Sequence, residues 1–184
     1  MLTRCLNRLR AFREDTRGNL TVEAVILMPV IFWAFATTFV FFDMFRQNSV
    51  AHKAAFTIGD MLSRETLEIT PAYMDSTLTL FDMLTDGELD NPGVRVSVVR
   101  WDEDTQSYDL RWSEARGFAE ELTPEEVGQW DDVLPNMVDE EQIILVQTWA
   151  DYDPIYRIGM GTQQFETFVF TRPRFAPQLV WADS

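Results

Sequence analysis

Gly18 and Glu23 are the residues of this chain whose types and spacing say most about its chemistry. Gly18 stands between a segment rich in Arg and a long apolar run, and Glu23 follows five residues later. An ionisable residue at the head of an apolar helix is costly in hydrocarbon and calls for a reason. Alone, Glu23 reads as an interfacial carboxylate favoured by the positive end of a helix dipole. The functional reading needs Gly18 and Glu23 together.

The remaining residues offer little reactive chemistry. The single His52 excludes a multi-histidine metal site, and the single Cys5 excludes an internal disulfide or a multi-cysteine zinc site. There is no H-E-x-x-H, P-loop, nucleophile elbow or C-x-x-C. A Ser-His-Asp triad would have to use His52, which has no supporting motif. Asp102, Glu103 and Asp104 suggest calcium, but the segment lacks the Gly and terminal Glu of an EF-hand loop and reads as a solvated turn. Gly159-Met160-Gly161 is too short a pattern to cradle a phosphate. Trp101, Trp112, Trp130, Trp149 and Trp181 read as core and sheet-face residues and not as a ligand box. A paired-carboxylate hydrolase has no specific support, because a chain with 30 acids always offers pairs. The expectation is a protein that is not an enzyme, with no cofactor and no metal.

Charge shows how the chain is laid out. The formal net charge is -15, which opposes nucleic acid as a partner because phosphate binding needs a cationic surface. Its distribution is uneven. Residues 1–17 hold five Arg and two acids, whereas residues 44–184 hold 26 acids and ten Arg or Lys. Between them Ala24 to Phe42 carries no charge over 19 residues. As a helix this run spans about 28 Å, close to the hydrocarbon thickness of a bilayer. Its Val, Ile, Leu and Phe contribute about -3 to -7 kcal/mol toward insertion, which Pro29 and Thr37-Thr38 reduce without reversing. The basic flank precedes the helix and should stay cytoplasmic, so the acidic part should lie outside the cytoplasmic membrane. A cleavable secretory signal is the nearest alternative, with Ala34-Phe35-Ala36 as its small-x-small triplet. The apolar run continues to Phe42, as a stop-transfer anchor does.

At this point the N-terminus resembles type IV prepilins, which have a basic leader, a Gly, and a hydrophobic helix with Glu at the fifth mature position. It is more similar to the TadE/TadF/TadG-like proteins of the tight-adherence (Flp) pilus system. Phe12-Arg13-Glu14-Asp15-Thr16-Arg17-Gly18 is followed by Val22-Glu23-Ala24 and then by Pro29. The match covers residues 12–42; Val146 to Pro154 and Arg172-Pro173-Arg174 resemble the family only loosely. The resemblance implies cleavage by a prepilin peptidase between Gly18 and Asn19, and a role for Glu23 in assembly. Glu23 would meet the new N-terminal amine of a neighbouring subunit. Opposite charges in low dielectric attract strongly and each alone is penalised, so such a pair specifies register. Asn19 departs from the usual Phe or Met at the first mature position.

The part beyond Asp43 reads as one small α+β domain. Ala51, Ala54, Ala55, Ile58 and Leu62 recur at helical spacing, so the helix should continue to about Arg64. Thr70-Pro71 starts a second helix, with Met74, Leu78 and Phe81 inward. Asp86-Gly87 and Asn91-Pro92-Gly93 mark the turn after it. The period then becomes two. Val94, Val96 and Val98 form one strand face, and Tyr108, Leu110 and Trp112 form that of the next, with a hairpin turn at Asp102 to Ser107. Thr123 to Glu126 is a capping box, with Val127, Trp130 and Leu134 inward. Gln142 to Tyr152 and Gln164 to Arg172 read as two further strands. The run Ile143 to Val146 suits a central strand covered on both faces.

The expected architecture is α+β. Residues 1–18 form a cytoplasmic basic leader, 19–43 a transmembrane helix, and 44–184 an exported periplasmic domain resembling a pilin, with an antiparallel sheet of about four strands. The expected function is that of a minor pilin-like (pseudopilin) component needed to assemble a tight-adherence pilus in a bacterial inner membrane. Its partners would be the prepilin peptidase, other pilin-like subunits, inner-membrane assembly proteins and the lipid bilayer. Gly18, Asn19, Glu23, Ala24 and Pro29 carry that expectation. The alternative is a membrane-anchored periplasmic binding or sensor module outside any pilus.

Overall fold

The computed structural model of the chain describes residues 19–130, 133–156 and 158–182. Its first helix, α1 (Asn19–Ser63), continues through Pro29. The chain divides between Phe42 and Asp43 into two compact units.

In the first unit α1 is apolar around its circumference, and residues 21–35 are all exposed. Only 6% of its most apolar 18-residue stretch is buried. A helix of this length and composition can cross a membrane, although a signal sequence meets the same criterion. The Thr37 and Thr38 hydroxyls donate to the carbonyls of Trp33 and Ala34 at 2.8 and 2.9 Å, so neither is left unpaired in an apolar setting.

In the second unit the rest of α1 packs one stripe against a sheet. Ala51, Ala54, Ala55, Ile58 and Leu62 are all buried. They recur every three or four residues and so share one side of the helix. The helix α2 (Pro71–Leu84) starts where Thr70 accepts a hydrogen bond from the Tyr73 N–H and Pro71 occupies the first turn. Met74, Thr77 and Phe81 are its buried residues, and Leu78 packs at their margin.

The sheet has four antiparallel strands in the order β2-β1-β3-β4. They are β1 (Asp90–Asp102), β2 (Ser107–Gly117), β3 (Gln142–Tyr152) and β4 (Gln163–Thr171). One face carries Val94, Val96, Val98, Ile144, Val146 and Ala150 into a core shared with α1 and α2. The other carries Val99, Ile143 and Leu145 into a second core with Leu122, Val127 and Leu134. The segment between β2 and β3 supplies this cover. It contains the one-turn helix α3 (Pro124–Val127), opened by a reciprocal capping box between Thr123 and Glu126. Ile143 to Val146 is therefore buried on both sides, as its unbroken apolar run implies.

Two details depart from the expected pattern. Asn91, Pro92 and Gly93 do not form a turn; they belong to β1, whose pairing with β3 is irregular between Asp90 and Gly93. Pro at the start of a strand is tolerated where the ladder is interrupted. Tyr108, Leu110 and Trp112 also do not share a face. Val98 pairs with Trp112 but Val99 pairs with Leu110, so Arg111 is an extra residue in β2. This bulge sends Leu110 to the second core and Trp112 to the first.

The C-terminal residues close the first core. Ile69 and Trp181 form a parallel bridge, and the Trp112 indole N–H donates to the Leu179 carbonyl at 2.9 Å. The Arg174 N–H reaches the Ser63 carbonyl at 2.7 Å and so satisfies an end of α1.

Candidate functional site

Glu23, Ala24 and Pro29 lie on α1, and Gly18 lies outside the described residues. Asn19 belongs to α1. Glu23 is exposed, and the residues one turn further, Ile26 and Leu27, are exposed and apolar. The helix thus offers Glu23 no cation in its next turn. Pro29 has no N–H to give the Val25 carbonyl, yet α1 remains helical there. Glu23 and Pro29 are six residues apart and so point to different sides of the helix. The two do not form one pocket. They are features of one apolar cylinder, and among the described residues no cation lies within one turn beyond its carboxylate.

Beyond Phe42 the first charged residue is fixed to the sheet. The Tyr152 hydroxyl at the end of β3 donates to Asp43 Oδ2 at 2.8 Å. Tyr152 is buried and stacks on Phe165 with ring centroids 5.6 Å apart. Burial first, and then the bond and charge of Asp43, push the phenol up to about 12. One turn along α1, the buried Gln47 donates its amide to Glu88 after α2. Two polar contacts therefore hold this part of α1 against both the sheet and the α2 loop. Sequence reasoning missed both, because no local signal joins Asp43 to a residue 109 positions away.

On the second face, Arg95 is a buried cation. Its Nε and Nη2 donate to Gln147 Oε1 at 3.0 and 2.8 Å, and Nη1 donates to the Glu120 carbonyl at 3.0 Å. The guanidinium carbon lies 5.0 Å from the centre of the Trp149 ring. Burial lowers the pKa of Arg95, while Glu126, Glu166 and Glu120 oppose that shift. Every neighbour is structural: a paired strand, the cover segment and an aromatic face. The arrangement locks the cover onto the sheet and leaves no acid–base pair.

The acidic hairpin shows where its carboxylates go. Asp102 accepts from the N–H groups of Asp104 and Thr105 at 2.9 and 3.1 Å, and Asp139 accepts from that of Glu103 at 3.1 Å. These bonds build the turn. Among the described residues, no three His, Cys, Asp or Glu side chains are grouped to hold a metal ion. An open groove of about 350 Å³ lies by Met61, Thr70, Tyr73 and Leu80. Arg172 and Arg174 pair with Glu141 and Asp60 at 2.7 and 3.4 Å on the surface.

No protein-family model matches the chain, and neither a curated protein nor a solved structure is significantly similar to it.

Proposed function

We propose that the chain is a pilin-like assembly component of the tight-adherence type, anchored in a bacterial inner membrane by the first part of α1. The supporting observation is that residues 21–35 are apolar and exposed apart from Thr21 and Glu23, while the unit after Phe42 builds two cores of its own. An apolar cylinder that its own domain does not cover suits lipid and the helices of neighbouring subunits. Glu23 supplies the specific element. An exposed carboxylate in that setting is stabilised by a cation, and a neighbour's N-terminal amine at Asn19 would supply one. The Arg-rich leader then lies in the cytoplasm and the acidic domain in the periplasm.

The test is the N-terminus of the protein recovered from membranes, with and without the host's prepilin peptidase. A chain beginning at Asn19 only when the peptidase is present supports the proposal. A chain beginning at Thr37 sinks it in favour of ordinary secretion, and an intact Met1 retains the anchor but removes the cleavage step.

A further inference from the structure

The contact between Asp43 and Tyr152 fixes the position of a loop that the assembly role leaves unused. The connection from β3 to β4, residues 153–162, begins directly after Tyr152. It exposes two large side chains in succession, Ile155 at 69% and Tyr156 at 55%. Pro154 beside them is buried, so the loop is held at its base. Ile155 is three residues from Tyr152, a reach of at most about 11 Å.

We propose that Ile155 and Tyr156 dip into the interfacial layer of the bilayer and hold the domain against a zwitterionic lipid surface. This rests on the membrane-spanning reading of residues 24–42. That run of about 28 Å nearly fills the roughly 30 Å of hydrocarbon, so Asp43 falls in the headgroup layer. Tyr152 reaches Asp43 through one hydrogen bond, which sets the start of the loop at the same height. Tyr is suited to this layer, with a ring that leaves water and a hydroxyl that stays in it. The lipid is zwitterionic because the same end of the domain is acidic. By sequence Asp43, Glu88, Asp90, Asp151 and Asp153 outnumber the cations of the same stretches, Arg46 on α1 and Arg157 in the loop itself. The net negative balance disfavours anionic headgroups, so apolar contact and not charge drives insertion.

The experiment uses the full-length chain with Cys5→Ser, in nanodiscs of phosphatidylcholine and phosphatidylethanolamine. Single spin labels are placed through Tyr156→Cys, Phe35→Cys and Gln106→Cys. Gln106 lies in the hairpin turn at the opposite end of β1, and Phe35 lies within the apolar run. The expected result is a label at 156 that meets oxygen in preference to a water-soluble nickel chelate, as the one at 35 does, while the one at 106 meets the chelate. A further label through Ile158→Cys should lose that preference when Ile155→Ser and Tyr156→Ser are added. The inference is overturned if the label at 156 behaves like that at 106 while the one at 35 stays in lipid. A water-exposed label at 35 removes the membrane reading and this inference with it. Deeper immersion in phosphatidylglycerol nanodiscs overturns the zwitterionic assignment in favour of charge-driven binding.

Discussion

The Tyr152 phenol donates a 2.8 Å hydrogen bond to Asp43, the first charged residue after the apolar run. The bond joins the end of β3 to α1 within the second unit. Tyr152→Phe keeps the buried ring on Phe165 and removes only the hydroxyl. The expected loss is about 1.5–3 kcal/mol, the usual range for a bond to a charged acceptor. The folded phenol titrates at about 12 against 10.0 for the free group. Its contribution is therefore complete below pH 10 and vanishes as the pH rises toward 12. Urea unfolding of the detergent-solubilised chain, followed by tryptophan fluorescence, should show the wild type's margin over Tyr152→Phe shrinking across that window. A margin independent of pH through the window contradicts the assignment.

Arg95 and Gln147 should behave as a unit. Removing the Gln147 amide leaves a buried guanidinium with the Glu120 carbonyl and the Trp149 face. Removing Arg95 leaves the Gln147 carbonyl and the Glu120 carbonyl without their donor. Gln147→Leu and Arg95→Met should each cost about 2–4 kcal/mol. The double variant should cost less than the sum by about 1.5 kcal/mol or more, since one change relieves the penalty of the other. Additive losses in the same urea titration would mean that the two side chains are not coupled.

Gly117 and Gly87 both have positive φ, 74° and 63°, yet alanine should cost very different amounts at the two. A Cβ at Gly117 would lie 2.0 Å from the Pro92 carbonyl oxygen, a backbone atom in the paired strand. Nothing lies within 4 Å of the corresponding position at Gly87. Gly117→Ala should lose about 3–5 kcal/mol from strain and displaced pairing. Gly87→Ala should lose only about 1 kcal/mol, the cost of a left-handed backbone for a residue with a Cβ. Comparable midpoints in a urea titration for the two variants would show that β2 can shift away from Pro92 at little cost.

What was legible in the sequence was local. Thr70-Pro71 and the Thr123–Glu126 box start helices because their chemistry is complete within four residues. The alanine stripe and the unbroken run Ile143 to Val146 disclosed their burial because period reflects which sides are covered. The bulge at Arg111 was not legible, since Tyr108, Leu110 and Trp112 alternate faultlessly and only the partner strand reveals the extra residue. The strand order, the Arg95 cradle and the Asp43–Tyr152 bond also depend on partners distant in the chain. At the candidate site the spacing of Gly18 and Glu23 was readable for the same local reason as the caps. What Glu23 meets was not, because among the described residues no cation stands in the turn of α1 that follows it.

Glu23 tests the proposed function most directly. A helix that is only a tether has no use for a carboxylate at the head of its apolar run. Glu23→Gln keeps the size of the side chain and removes the charge, so it should insert at least as well as the wild type; an ionised carboxylate near the helix centre costs about 2.5–3.5 kcal/mol and one near its end costs less. Membrane fractionation and protease protection of the exported domain should therefore be unchanged. Assembly should fail, read as loss of surface pili and of surface attachment, because a neutral amide cannot answer a neighbour's amine charge in low dielectric. Glu23→Asp should restore it in part, since the charge returns on a shorter arm. If Glu23→Gln cells assemble pili normally, the carboxylate is an interfacial residue and the binding or sensor module becomes the better account. If instead the Gln variant fails to insert, the charge acts on topology and not on assembly, and the pairing with a neighbour's N-terminus is wrong.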